Sequence, residues 1–214
     1  MKGVTTIIAA IIIVAISVGL TSTAYIWGRP LIEKRQETTV TETVFSKFSP
    51  DNPSSLPKII EDVANNRGVR TFTVNADGIW KLDEGEDSIA FTFTSKTSNI
   101  AIGTSNPISL TAGVQCAPKP SPANGTIGRD SSSVVCANAT SGDVFSITYK
   151  IYFRELYDNP LSPTAKGFKI DLLKDPTGLT VSSGRTVKII FDDSQEQASG
   201  SVTLITKKIK ILLI

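Results

Sequence analysis

The hydrophobic pattern divides the chain into three regimes. The first, residues 4–28, carries no charge and reads VTTIIAAIIIVAISVGLTSTAYIWG. Its 25 residues make a helix of roughly 37 Å at about 1.5 Å per residue, longer than the roughly 30 Å hydrocarbon core of a bilayer. The run is apolar on all sides, so it predicts a membrane-inserted helix better than a core helix of a soluble domain. Its aliphatic residues are Ile7, Ile8, Ile11, Ile12, Ile13, Val14, Ile16, Val18 and Leu20. Tyr25, Ile26 and Trp27 stand at its far end, where aromatic rings favour the membrane–water boundary.

The second regime, residues 29–68, is mixed. Gly28-Arg29-Pro30 predicts a break or bend, because proline lacks the N–H and clashes one turn back. A charged stalk follows. Val40, Val44 and Phe48, four residues apart with Phe45 beside them, predict one core-facing helical stripe at its end. The loop Ser49-Pro50-Asp51-Asn52-Pro53 leads to a short helix. Ser54 or Ser55 caps it, Pro57 suits its first turn, Ile59, Ile60 and Val63 make its apolar face, and Gly68 ends it.

After Gly68 the period becomes two. Strands are expected at 69–74, 79–82, 88–94, 145–153, 167–173, 186–191 and 202–213, with weaker ones at 100–102 and 108–114. Asn75-Ala76-Asp77-Gly78 reads as a turn. Lys207-Lys208 breaks the alternation of the last strand, which suggests a bulge or a sheet edge. The expected fold is α+β: a long N-terminal hydrophobic helix followed by an antiparallel β-sandwich (Ig-like) head. The domain reading is a leader at 1–3, helix and stalk at 4–48, loop and short helix at 49–68, and the head at 69–214.

Composition narrows the chemistry. The net charge of the 214 residues is +2 and the basic residues are scattered, so nothing argues for nucleic acid. There is no histidine, which removes the usual general base and the commonest metal ligand. No nucleophile elbow, phosphate-cradling glycine loop or paired Cys-x-x-Cys occurs. No catalytic residue, metal or cofactor is expected, and the chain reads as a non-enzyme. The acidic runs 83–87 and Asp192-Asp193 with Glu196 lack the spacing of a calcium loop and read as solvated loops.

The two cysteines, Cys116 and Cys136, are either free core thiols or a disulfide. In an exported chain the disulfide is the better reading, closing a loop worth about 3 kcal/mol. The Pro-, Ser- and Gly-rich residues 117–135 are then an exposed loop. Asn124-Gly125-Thr126 and Asn138-Ala139-Thr140 are acceptor sequons in or beside it, so Asn124 and Asn138 are candidate glycosylation sites.

The apolar run has three possible fates: a cleaved secretory signal cut near Ser22-Thr23-Ala24, an uncut anchor, or a prepilin-type segment cut before the helix. Met1-Lys2-Gly3, followed at once by Val4-Thr5-Thr6-Ile7-Ile8-Ala9-Ala10, resembles the start of archaeal type IV pilins. The resemblance covers about 28 residues. It implies cleavage between Gly3 and Val4 by a prepilin peptidase, insertion in the membrane before assembly, and delivery by a pilus assembly platform. Copies of the chain would then pack into a helical filament on the cell surface, serving adhesion. Bacterial pilins place a glutamate at mature position five; Ile8 stands there, which tilts the resemblance to the archaeal branch. The rival readings are a membrane-anchored surface β-domain that does not polymerise, and an exported enzyme or solute-binding domain.

Overall fold

A computed structural model describes residues 2–101, 106–117, 119–158, 166–199 and 202–214, the side chains of 2–6 and 199 excepted. Helix α1 spans Lys2–Phe48 and α2 spans Leu56–Asn66. The strands are β1 (Val69–Asp83), β2 (Ser88–Ser95), β3 (Ile108–Ser109), β4 (Asn124–Thr126) and β5 (Ser133–Ser141). They continue as β6 (Phe145–Phe153), β7 (Glu155–Tyr157), β8 (Lys166–Lys174), β9 (Val181–Ser199) and β10 (Val202–Leu213). By contacts the chain divides into two units, residues 1–39 and 40–214.

The α+β class and the helix-then-sheet order hold. The Ig-like sandwich does not. The strands form one curled, half-barrel sheet in the order β3-β5-β6-β2-β1-β9-β10-β8-β7-β4. Nor is it wholly antiparallel: β8 runs parallel to β10, and β4 parallel to β7. Curling lets a single sheet bury its concave face on itself and on two helical segments, so no second sheet is needed to close the core.

Of the break or bend expected at Gly28-Arg29-Pro30, the break does not occur, since α1 is continuous through Pro30. One proline deletes one N–H bond, and Arg29 Nε donates to Glu33 Oε1 across it at 2.8 Å. The predicted stripe at the end of α1 packs as expected. Val44 and Phe48 are fully buried, with Val40 and Phe45 against the same core. Phe48 stacks on Tyr149 at 4.9 Å and on Phe91 at 5.8 Å, and also meets Phe72 and Trp80. In α2, Pro57 lies in the first turn, Ile60 and Val63 are buried, and Gly68 takes φ +101 just beyond the end.

The Asn75–Gly78 turn is instead part of a continuous β1, where the register with β9 shifts between Thr73 and Gly78. Glycine is needed there, because a Cβ on Gly78 would run into the Phe91 ring. The bulge read from Lys207-Lys208 is present, as a register shift between Lys208 and Ile209 against β9. Of the weaker strands, only Ile108–Ser109 forms in 108–114. Ile100 and Ala101 are not in a strand, and Ile102 lies outside the described residues. Strand β9 runs well past 191, taking Asp192, Asp193 and Glu196 out of the expected loop and onto a strand.

Candidate functional site

The first candidate site is the apolar part of α1. Gly3 and Val4 lie in its first turn. From Ile7 onward every large apolar side chain of residues 7–27 is exposed, from 51% at Ile12 to 76% at Trp27. Ile8, Ile11, Ile13, Val14, Ile16, Val18 and Leu20 surround the helix, and Tyr25 and Ile26 close the run. The segment sustains a mean hydropathy of 2.4, and α1 is long and apolar enough to cross a membrane. Fully burying one such side chain is worth about 1.5–3 kcal/mol. A surface of this kind is stable only in lipid or against other apolar surfaces. Thr21 and Thr23 hide their hydroxyls by donating to the Ser17 and Gly19 carbonyls at 2.8 and 2.9 Å, which suits a helix without water. Charge reappears with Arg29 and Glu33.

The second region is the cysteine loop. Cys116 and Cys136 form the expected disulfide, with Cα atoms 5.8 Å apart. The residues between them do not form a purely exposed loop, however. Ser132, Ser133, Val134 and Val135 are buried, because β5 starts inside the loop and is covered on both faces. Val135, Ala137 and Ala139 face the main core, while Val134 and Cys136 join Val114 and Cys116 in a satellite cluster. The two sequons therefore differ. Asn124 is exposed on the short β4. Asn138 lies within β5, half-buried, and its Oδ1 is enclosed without a hydrogen bond.

Polar side chains hold this region in place. Glu61 Oε1 on α2 accepts from the Ser132 and Ser133 hydroxyls, both at 2.8 Å, and its Oε2 meets Lys58 Nζ at 2.8 Å. Burial acts to raise the Glu61 pKa, but Lys58 and the serine hydroxyls together hold it below the usual carboxylate range. Arg154, between β6 and β7, donates from Nε to the Ser131 carbonyl at 3.0 Å and from Nη1 to the Pro122 carbonyl at 3.3 Å.

The acidic turn between β1 and β2 is not simply solvated, contrary to expectation. Glu86 pairs with Lys150 at 2.7 Å and Lys119 at 3.2 Å. Asp87 is buried at φ 45, pairs with Lys169 at 2.7 Å, and accepts the Leu172 N–H of β8 at 3.2 Å. Glu84 likewise accepts the Lys174 N–H at 2.7 Å. The two carboxylates thus occupy main-chain donors of β8 in place of a neighbouring strand. Burial, then the neighbouring Asp171, push Asp87 up to about 6 against the pull of Lys169. Among the described residues no group of three or more His, Cys, Asp or Glu is placed to hold a metal ion.

Glu61 and Arg154 escape sequence reasoning, and the run 83–87 gave no sign of what Asp87 does, since no motif spacing links residues that the fold brings together from 23 to 85 positions apart. No family model matches the chain, and no curated protein or solved structure matches it either.

Proposed function

We propose that the protein is the structural subunit of an archaeal type IV pilus-like surface filament that serves adhesion or surface attachment. One observation carries the reading: a continuous 47-residue helix wrapped in exposed aliphatic side chains over its first half, whose last turns belong to the core of a β-rich head. The Lys2-Gly3 pair directly before the apolar run supports a prepilin-type start. In this reading the peptidase cuts between Gly3 and Val4, and the mature helix waits in the bilayer. Copies are then extracted to pack helix against helix. Lipid and a helix bundle are similarly apolar, so assembly draws on side-chain packing and an external motor rather than on hydrophobic transfer. The heads coat the filament, and Asn124 is the better placed of the two sequons to carry sugar.

N-terminal sequencing of the mature protein, with electron cryo-microscopy of surface filaments, tests this. A chain starting at Val4 in a filament with a packed helical core is the expected result. A start at Met1 in a protein that stays single in the membrane means a surface anchor instead. A start near Tyr25 means a secreted domain; either outcome ends the filament reading.

A further inference from the structure

We propose that Arg154 anchors a binding site for a carboxylate-bearing sugar in a cleft of the head. The inference goes beyond the filament reading and stands whether or not the chain polymerises.

Arg154 is only 7% exposed. Two backbone carbonyls, of Ser131 and Pro122, fix its plane, and its main-chain N–H donates to the Ser132 carbonyl at 2.9 Å. A guanidinium carries five N–H groups. Among the described residues, those beyond the two used meet no protein acceptor, and no carboxylate lies within ion-pair distance of the side chain. Asp130 offsets the charge only from farther off; its carboxylate accepts the Thr126 N–H at 2.7 Å and pairs with Arg129 at 3.4 Å. Burial therefore lowers the Arg154 pKa, the sign of a cation short of compensation. The fold makes room for it all the same: a Cβ on Gly125 would stand 3.2 Å from Arg154 Cζ and 2.7 Å from Leu156 Cδ2.

The guanidinium borders a cleft of about 310 Å³. Lys58 and Arg129 join it there, but Lys58 is paired with Glu61 at 2.8 Å and Arg129 with Asp130 at 3.4 Å, which leaves Arg154 as the cation of the cleft without an ion pair among the described residues. Thr111 and Ser131 add hydroxyls. A volume at the small end of ligand sites suits one sugar ring, and the polar walls suit a ligand rich in hydroxyls. Its carboxylate would take the unused Arg154 N–H groups in charge-assisted bonds, and Asp51 would accept from ring hydroxyls. The other cleft that Arg154 borders, about 460 Å³, is a poorer anion site. There Glu86, Asp87 and Glu155 equal Lys119, Arg154 and Lys169 in number, whereas the smaller cleft sets Asp51 and Asp130 against Lys58, Arg129 and Arg154.

Saturation-transfer NMR on the full chain in detergent micelles, with sodium glucuronate and its uncharged twin glucose, tests the site. Transfer to glucuronate well above that to glucose is expected, and Arg154→Gln should weaken glucuronate binding by at least about tenfold. Equal transfer to the two sugars, transfer to neither, or an undiminished affinity in Arg154→Gln overturns the proposal. Should that variant lose its fold, the double variant Arg129→Ala/Lys58→Ala at the cleft rim is read instead. It should weaken glucuronate binding by about twofold or more, and an unchanged affinity there overturns the proposal equally.

Discussion

Two stretches of one helix live under opposite rules. In residues 7–27 of α1 the isoleucines and valines stand open, with Ile11 at 63% exposure. In residues 40–48 of the same element Val44 and Phe48 are wholly enclosed. Backbone geometry and residue class are alike in both. The first stretch is apolar on every side, more than one face of a domain covers, and it stands exposed. The second presents one stripe, and the head's own rings fill it. The arrangement of apolar positions around a helix, rather than their number, decides whether a segment folds with its own chain or waits for lipid or another copy.

The sharpest way to break this comparison is a pair of truncations. Phe48→Ala should cost the head about 3–5 kcal/mol, whereas Ile12→Ala should leave head unfolding unchanged in denaturant titrations of the full chain in micelles. Equal losses would erase the distinction. Next comes the disulfide. Reduction should remove about 3 kcal/mol from head stability, leaving the helicity of the membrane segment untouched, and a thiol assay on the native protein should find none.

Glu61→Gln should destabilise the head by about 2 kcal/mol, because the amide cannot replace a carboxylate that takes the Ser132 and Ser133 hydroxyls and Lys58 together. The smallest effect is in pH. Asp87 sits at about 6 in the fold against 3.8 for a free aspartate. The folded state therefore binds its proton more tightly than the unfolded one. That contribution to stability is fully present below the unfolded value and is lost as pH rises through about 6. Asp171 works the other way: burial raises its pKa, but Asp87 and Lys169 outweigh burial and hold it low. The net slope is modest. Relative to Asp87→Asn, the unsubstituted chain should lose about 1 kcal/mol of head stability between about pH 4 and about pH 7. A difference that stays flat across that range would show that burial of Asp87 does not govern the turn.

What could be read ahead of the structure follows periodicity. The apolar helix, the stripe ending in Phe48, α2 with its Pro57 start and Gly68 stop, and the alternating β6, β8 and β10 were all legible. Strand β5 was not, because its serines and valines are covered on both faces and show no alternation. Strands β4 and β7 are three residues each, too short to carry a pattern. The polar end of β9 looked like a loop because its side chains are largely exposed, and its pairing with β10 is what holds it extended. The Asn75–Gly78 signal was sound local chemistry overruled by the packing of Phe91 against Gly78. The candidate cleft was invisible for a related reason: Lys58, Arg129 and Arg154 converge only once α2, the cysteine loop and the end of β6 are in place.

The rims of the sheet carry one more consequence. At one end the last strand is two residues long, at the other three. Where β9 outruns its pairing with β1 it carries Asp192, Asp193 and Glu196. In the proposed filament, neighbouring heads would thus have little main chain to offer one another, and like-charged stretches would repel. On that proposal, many copies would be crowded at high local concentration and still meet through side chains, without fusing into one continuous cross-strand solid.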